Sequence, residues 1–281
     1  DEAKEINKKV FETIYYGALL KSHQLAKEKG AYKSFKGSPF SKGILQYHMW
    51  GLTEKDLSGM WDFKSLIVDI KRDGVRNSTL TALMPTASTS QIQGNNECFE
   101  PYTSNIYKRK TLSGEFIVIN EHLIRDLIKL GIWNENTMNE LIISDGSVQG
   151  IDGVTDEIKS LYKTSWEMSA KVLLTHSAER GPFVDQTQSL NVFMTNTSTK
   201  ALTSMHFYGW KLGLKTGMYY LRSKTASSAK KFGLNTSNFS KTPTTHPPPP
   251  PHEKKAVKES VKEKAKRTIV CTEDVCISCQ G

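Results

Sequence analysis

Three groups of residues have the types and spacing to do chemistry. Near the C-terminus, Cys276 and Cys279 are separated by two residues, a spacing that lets two thiols close a disulfide or share a metal ion. A closed zinc site takes four ligands, and the nearest histidine, His252, stands 19 residues before Cys271. That favours a redox pair and leaves a metal knuckle as the alternative. The second group, Pro85-Thr86-Ala87-Ser88-Thr89-Ser90-Gln91, lies where an expected strand stops and a helix or turn begins. Small hydroxyls and unsatisfied backbone N–H groups at such a junction suit an anion, a phosphate among them; Ser/Thr capping of the helix is the plainer alternative. The third group is Tyr219-Tyr220, since adjacent phenols can pass an electron together with a proton. In a regular strand neighbours face opposite sides, so the competing assignment puts one tyrosine in the core and one on the surface.

Other residues carry less. The chain has no Gly-x-x-x-x-Gly-Lys-Ser/Thr run, which argues against a P-loop nucleotide triphosphatase. His176 and His206 fall in helical stretches and read as packing or surface residues. Glu179, Arg180 and Asp185 flank Gly181-Pro182 and read as a helix-end ion network rather than an acid/base set. Cys98 has no activating partner nearby in sequence and reads as structural.

The elements that position these groups follow from composition and period. At 281 residues and 37% hydrophobic content the chain can bury a large core in one or two domains. It has no apolar run of about 18 residues and no charged-then-apolar leader, so neither a membrane nor the secretory route is expected. Four cysteines are too few for a secreted disulfide scaffold; a reducing, cytoplasmic setting is expected, and the Asn-x-Ser/Thr matches at Asn77, Asn196, Asn235 and Asn238 are read as chance. Of the net charge of +9, the stretch from residue 226 onward holds +5, from ten Lys/Arg and five Asp/Glu. The rest has no basic stripe interleaved with aromatics, so nucleic acid is not an expected partner. Beginning at Asp1, within a helix-like pattern and without an initiator methionine, the chain reads as a fragment or processed piece.

Apolar positions at Ile6, Val10, Ile14, Tyr15, Ala18, Leu19 and Leu25 predict a helix over residues 4–29, stopped by Gly30. Further helices are expected near Leu57–Trp61, Asp62–Asp73, Glu121–Leu130, Thr137–Ser144, Asp156–Arg180 as one long element, and Thr199–Lys215. Strands are expected at Ser78–Met84, Tyr107–Arg109, Phe116–Asn120, Ser189–Met194 and Met218–Ser223. This alternation indicates an α/β architecture with parallel strands, and the small number of strands suggests part of a sheet or barrel. From about Ala226 the composition changes to Ser, Thr, Lys and Asn, then five prolines after His246, then a Lys/Glu run. Such a segment should form a spacer with no core, and a coil between Ser228 and Cys276 would span on the order of 40 Å.

Taken together, the sequence resembles the C-terminal part of the large catalytic subunit of class I ribonucleotide reductase, of the eukaryotic and large-DNA-virus type. The resemblance rests on Glu12–Gly17 (ETIYYG), Gly37–Trp50 (GSPFSKGILQYHMW), Met84–Gln91 (MPTASTSQ), Gly94–Tyr107 (GNNECFEPYTSNIY), Leu112–Phe116 (LSGEF), Ala178–Asn191 (AERGPFVDQTQSLN), Leu202–Arg222 (LTSMHFYGWKLGLKTGMYYLR) and the Cys276/Cys279 pair. It implies the C-terminal part of a ten-stranded α/β barrel over residues 1–225, a flexible linker over 226–270, and a disordered redox tail over 271–281.

The same resemblance implies roles. Thr86, Ala87, Ser88 and Thr89 would hold the phosphates of a ribonucleoside diphosphate. Tyr219 and Tyr220 would be a stacked pair that relays an oxidising equivalent from a di-iron small subunit. Cys276 and Cys279 would re-reduce the active-site disulfide and be reduced in turn by thioredoxin or glutaredoxin. No metal or other cofactor is expected in this chain. The radical-bearing cysteine, the two cysteines oxidised in turnover and the regions binding ATP and dNTP effectors would lie upstream of Asp1, so the chain alone is expected to be inactive. Implied partners are the small subunit, the N-terminal remainder of the large subunit, a second large subunit and the substrate. A half of a split enzyme and a non-catalytic remnant acting as a binding module are the alternatives. Cys98 stands where relatives commonly carry a small residue, and the part Cys271 plays is left open.

Overall fold

The computed structural model describes residues 1–224 apart from Ser113 and Asn196. The linker, the tail and the thiols of Cys271, Cys276 and Cys279 lie outside the described residues.

Helix α1 (Glu2–Lys29) runs 28 residues, with Glu2 and Glu5 in its first turn, Lys27 and Lys29 in its last, and Gly30 at φ 78° ending it. This charge order complements the helix dipole. Tyr15 and Leu19 are fully buried, packing with Phe63, Leu66 and Ile70 of α3 (Phe63–Asp73). Glu12 is also fully buried. Its carboxylate accepts from the Ser58 N–H at 3.0 Å and the Ser58 hydroxyl at 2.6 Å, which offsets the cost of burying a charge. That use of Ser58 explains why the helix expected at Leu57–Trp61 is absent: Leu57 is extended, and Asp62 starts α3 by accepting from the Ser65 N–H. Between α1 and α3 lies the short helix α2 (Gln46–Met49), flanked by 3-10 turns at Phe40–Lys42 and Glu54–Asp56.

After α4 (Thr89–Ile92), strands β1 (Ile106–Thr111) and β2 (Gly114–Ile119) pair antiparallel, Ile106 opposite Ile119. This corrects the expectation of parallel strands here. Only Leu112 and Ser113 separate the two, and a parallel pair needs a crossover of about a dozen residues or more. Helices α5 (Glu121–Lys129) and α6 (Glu135–Ile143), started by the side chains of Asn120 and Asn134, pack Leu123, Leu127 and Leu141 against Ile106.

The long helix expected over 156–180 is instead α7 (Asp156–Leu161), a 3-10 turn (Ser165–Glu167) and α8 (Ala170–Arg180). The physical reason is a second start signal: the Thr164 N–H and hydroxyl both donate to Glu167 Oε2, and Ser165 donates to the carbonyls of Tyr102 and Pro101. Strand β3 (Asn191–Met194), helix α9 (Thr199–Lys211) and strand β4 (Tyr220–Ser223) form a parallel βαβ unit, with Asn191 opposite Tyr220 and Met194 opposite Ser223. Residues 78–84 are extended but contribute one parallel bridge, Leu83 to Gln188, rather than a full strand. A third core, built on Leu174, Leu190, Val192 and Met205, holds α8, β3 and α9 together. The architecture is α/β. No helix among the described residues is long and apolar enough to cross a membrane.

Candidate functional site

The Leu83 bridge aligns the end of the 81–83 segment with the approach to β3. Ser189 donates to the Leu83 carbonyl at 3.0 Å and Gln186 to the Thr81 carbonyl at 3.1 Å. Pro85 then ends the extended run. Thr86 takes a left-handed φ of 56°, unusual for a β-branched residue. Its hydroxyl donates to the Pro85 carbonyl at 2.7 Å, and its own carbonyl accepts from Ser90 at 2.9 Å. Ser88 occupies the N-cap of α4, yet its side chain makes no cap bond. Side-chain capping, the plainer alternative, is therefore not what this serine does. Ala87, Ser88 and Thr89 are exposed, and among the described residues none of their N–H groups donates a hydrogen bond.

Tyr219 donates its N–H to the Leu190 carbonyl at 2.6 Å, and Tyr220 opens β4. The two rings have centroids 4.3 Å apart at an interplanar angle of 62°. They meet edge to face, a geometry that the ring quadrupoles favour, where the resemblance implies a stacked pair. They are 46% and 41% exposed, so neither is a core residue. The backbone bends at Tyr219, just before the strand, and the rule of opposite faces fails there. Arg222, two residues on and hence on the Tyr220 side of the strand, lies 5.0 Å over its ring.

Asn191 joins the two groups. It sits opposite Tyr220 in the ladder, and its Nδ2 donates to Cys98 Sγ at 3.1 Å. Cys98 Sγ donates to the Pro85 carbonyl at 3.3 Å. The buried Glu100 carboxylate accepts from the Asn191 N–H at 2.6 Å. Burial, then the charges of Glu100 and Glu97, push the Cys98 thiol up to about 11, which keeps it protonated. Cys98 reads as structural from the sequence, but its tie to Asn191 and Glu100 escapes sequence reasoning because the bonds that unite them span up to 93 residues.

Below this level, Arg180 and Asp185 form no helix-end ion network among the described residues, contrary to expectation. Arg180 is 3% exposed, with its guanidinium 4.8 Å over Phe99 and its Nε donating to Gln188 at 2.6 Å. Burial lowers it to about 10, opposed by the charge of Glu100. Asp185 Oδ2 accepts from the N–H groups of Leu80 and Thr81 at 2.6 and 3.2 Å, fixing the extended segment that leads into the Thr86 turn. Lys215, also unforeseen, donates to the carbonyls of Val184 and Asp185 at 2.9 and 2.6 Å and so anchors the segment before Tyr219. A small cleft lined by Trp50, Gly181, Gln188, Lys215 and Thr216 contains neither the turn nor the tyrosines. Among the described residues no cluster of His, Cys, Asp and Glu could hold a metal ion.

Burial raises the Asp185 carboxyl above its ordinary value despite the two N–H donors. A raised folded-state value gives a stabilisation that is complete below the ordinary carboxylate range and is lost as pH rises through the folded-state value. Asp185→Asn keeps an acceptor oxygen for Leu80 and Thr81 but cannot ionise. Its unfolding free energy should fall less between pH 4 and pH 7 than that of the parent protein, measured by urea denaturation; parallel curves would refute this.

Residues 1–220 match the family described as ribonucleotide reductase, barrel domain. The chain belongs to this family. Among its relatives, the ribonucleoside-diphosphate reductase large subunit of Danio rerio is 50% identical over 271 residues, covering 96% of the chain and 33% of the relative. The large chain of Schizosaccharomyces pombe is 54% identical, covering 82% of this chain and 28% of its own length. Among solved structures, the Actinobacillus ureae class Id ribonucleotide reductase alpha subunit superposes with a TM-score of 0.61 at 27% identity, over 80% of this chain and 35% of that one. The segment thus spans about a third of the proteins it matches.

Proposed function

We propose that this reductase segment forms part of the large catalytic subunit of a ribonucleoside-diphosphate reductase, completing a ten-stranded barrel with an N-terminal remainder. In this reading the N–H groups and hydroxyls of Thr86, Ala87, Ser88 and Thr89 hold the substrate phosphates, and Tyr219 and Tyr220 relay the oxidising equivalent generated at a di-iron small subunit. The observation that carries the reading is the coupling of the two groups through Asn191: the exposed turn with three uncommitted N–H donors is tied at Pro85 through Cys98 to Asn191, whose ladder partner Tyr220 is in ring contact with Tyr219. The 50% identity to a ribonucleoside-diphosphate reductase large subunit supports this chemistry.

Reduction removes the 2′-hydroxyl as water while two thiols of the remainder become a disulfide. Cys276 and Cys279 then attack that disulfide and become oxidised themselves, and thioredoxin or glutaredoxin restores them. The domain division at residues 225 and 270 follows from this division of labour, as does a reducing, cytoplasmic setting. ATP and dNTP effectors bind the remainder, and the large subunit pairs with a second copy.

The test uses the intact large subunit carrying this segment, assayed with its small subunit on CDP. Replacing Cys276 and Cys279 by serine should abolish turnover supported by thioredoxin and leave at least half of that supported by dithiothreitol, which reaches the active-site disulfide directly. Equal loss with both reductants would overturn the assignment of the tail.

A further inference from the structure

Cys98 and Thr86 are two non-glycine residues held at left-handed φ, 61° and 56°, and they face each other. The Cys98 N–H donates to the Pro85 carbonyl at 3.1 Å and to the Thr86 hydroxyl at 3.3 Å. Such backbone conformations persist only where the surroundings over-determine them. The surroundings here are polar and sparse. Beyond the backbone, Cys98 Sγ donates to the Pro85 carbonyl at 3.3 Å and accepts from Asn191 Nδ2 at 3.1 Å. Asn191 is 7% exposed and is itself oriented by Glu100, to which its main-chain N–H and Nδ2 both donate, at 2.6 and 3.4 Å. Two further buried atoms, Asn191 Oδ1 and Ser90 Oγ, have no hydrogen-bond partner among the described residues. Neither adds to the side-chain link between the turn and Asn191, which runs through the sulfur.

We infer that Cys98 is a positioning residue for diphosphate binding: its thiol ties the carbonyl of Pro85 to Asn191 and so holds the N–H groups of Ala87, Ser88 and Thr89 in register with the strand that carries Tyr220. The inference rests on the function proposed above and adds a residue that touches no substrate. A thiol suits the post because one small group must donate to an oxygen and accept from an amide at once. Its protonated state at neutral pH follows from its burial first and from the carboxylate of Glu100 second. A thiolate could not donate to the Pro85 carbonyl.

The experiment compares the intact large subunit with its Cys98→Ala and Cys98→Ser variants, each assayed with the small subunit on CDP under dithiothreitol. Loss of the tie loosens the bound geometry without touching the reacting atoms, so Cys98→Ala should raise KM about tenfold with kcat within about twofold of the parent. Cys98→Ser keeps both a donor and an acceptor and should return KM to within about threefold. A general loss of structure would lower kcat and the active fraction, and serine would not rescue KM alone. A Cys98→Ala KM within twofold of the parent, equal KM values for the alanine and serine variants, or a fall in kcat at constant KM would each overturn the inference. Should Cys98→Ala fail to fold, Asn191→Ala removes the amide donor from the other end of the tie and should also raise KM about tenfold; a KM within twofold of the parent, or a fall in kcat at constant KM, would overturn the inference. An inactive parent subunit would sink the proposed reductase function itself; an active parent with an unchanged alanine variant would sink only the role of Cys98.

Discussion

Tyr220→Phe in the intact large subunit is expected to lower deoxynucleotide formation by on the order of 10³-fold, equivalent to about 4 kcal/mol in the barrier. Phenylalanine keeps the ring that touches Tyr219 at 4.3 Å and lies under Arg222, so packing is conserved. What it loses is the O–H, without which the ring cannot give up an electron and a proton together. Binding of CDP, followed by equilibrium dialysis, should stay within about twofold, because the Thr86 turn is held through Cys98 and Asn191, and Asn191 meets β4 by backbone pairing rather than through the phenol. Retention of more than a tenth of the activity would show that the oxidising equivalent does not pass through Tyr220.

Gly146→Ala should produce the largest loss of stability. Gly146 has φ 79°, and an added Cβ would stand 2.1 Å from Ser104 Oγ and 2.4 Å from the Asn105 backbone nitrogen. A left-handed alanine costs about 1–2 kcal/mol, and the overlap adds about 1–3 kcal/mol because backbone cannot swing aside as a side chain can. The damage extends to Asn105, whose Nδ2 donates to the Gly146 carbonyl at 2.8 Å and to that of Tyr162 at 3.0 Å, and whose Oδ1 accepts from Asn120. These bonds fasten the base of the β1–β2 hairpin to α6 and α7. Urea denaturation of the large subunit, followed through this region, should show a loss of about 2–5 kcal/mol, whereas Gly150→Ala, with open space around its Cβ position, should stay within about 0.5 kcal/mol. A loss under 1 kcal/mol for Gly146→Ala would mean the loop can refold around the methyl.

Much of this architecture is written locally. The period of apolar residues in α1 and α3, the stops at Gly30 and Gly74, and the Asn120 and Asn134 caps act over one or two turns and are visible in the string. Hidden features depend on partners far away in sequence. Residues 57–61 have helical composition, but Ser58 serves Glu12, 46 residues earlier. Residues 78–84 have the composition of a strand, yet their neighbour past the single Leu83 bridge is the carboxylate of Asp185 rather than another ladder. The Thr86 turn and the tyrosine pair could be named from residue type and motif. That they converge could not, because Cys98 and Asn191 reach each other only after the chain has folded. The same holds for Arg180, whose partners are rings and an amide instead of the carboxylates its neighbours suggested.

The pairing of Asn191 with Tyr220 has one further consequence. Hydrogen-bond ladders move in whole-residue steps, and a step of one reverses which side every residue of the strand faces. The phenols therefore cannot drift gradually out of alignment with the turn; they are either in place or on the wrong side. Evolution or engineering that lengthens the α9–β4 connection must absorb the extra residue between Leu212 and Met218, since a one-residue shift passed into the strand would turn Tyr220 to the opposite face.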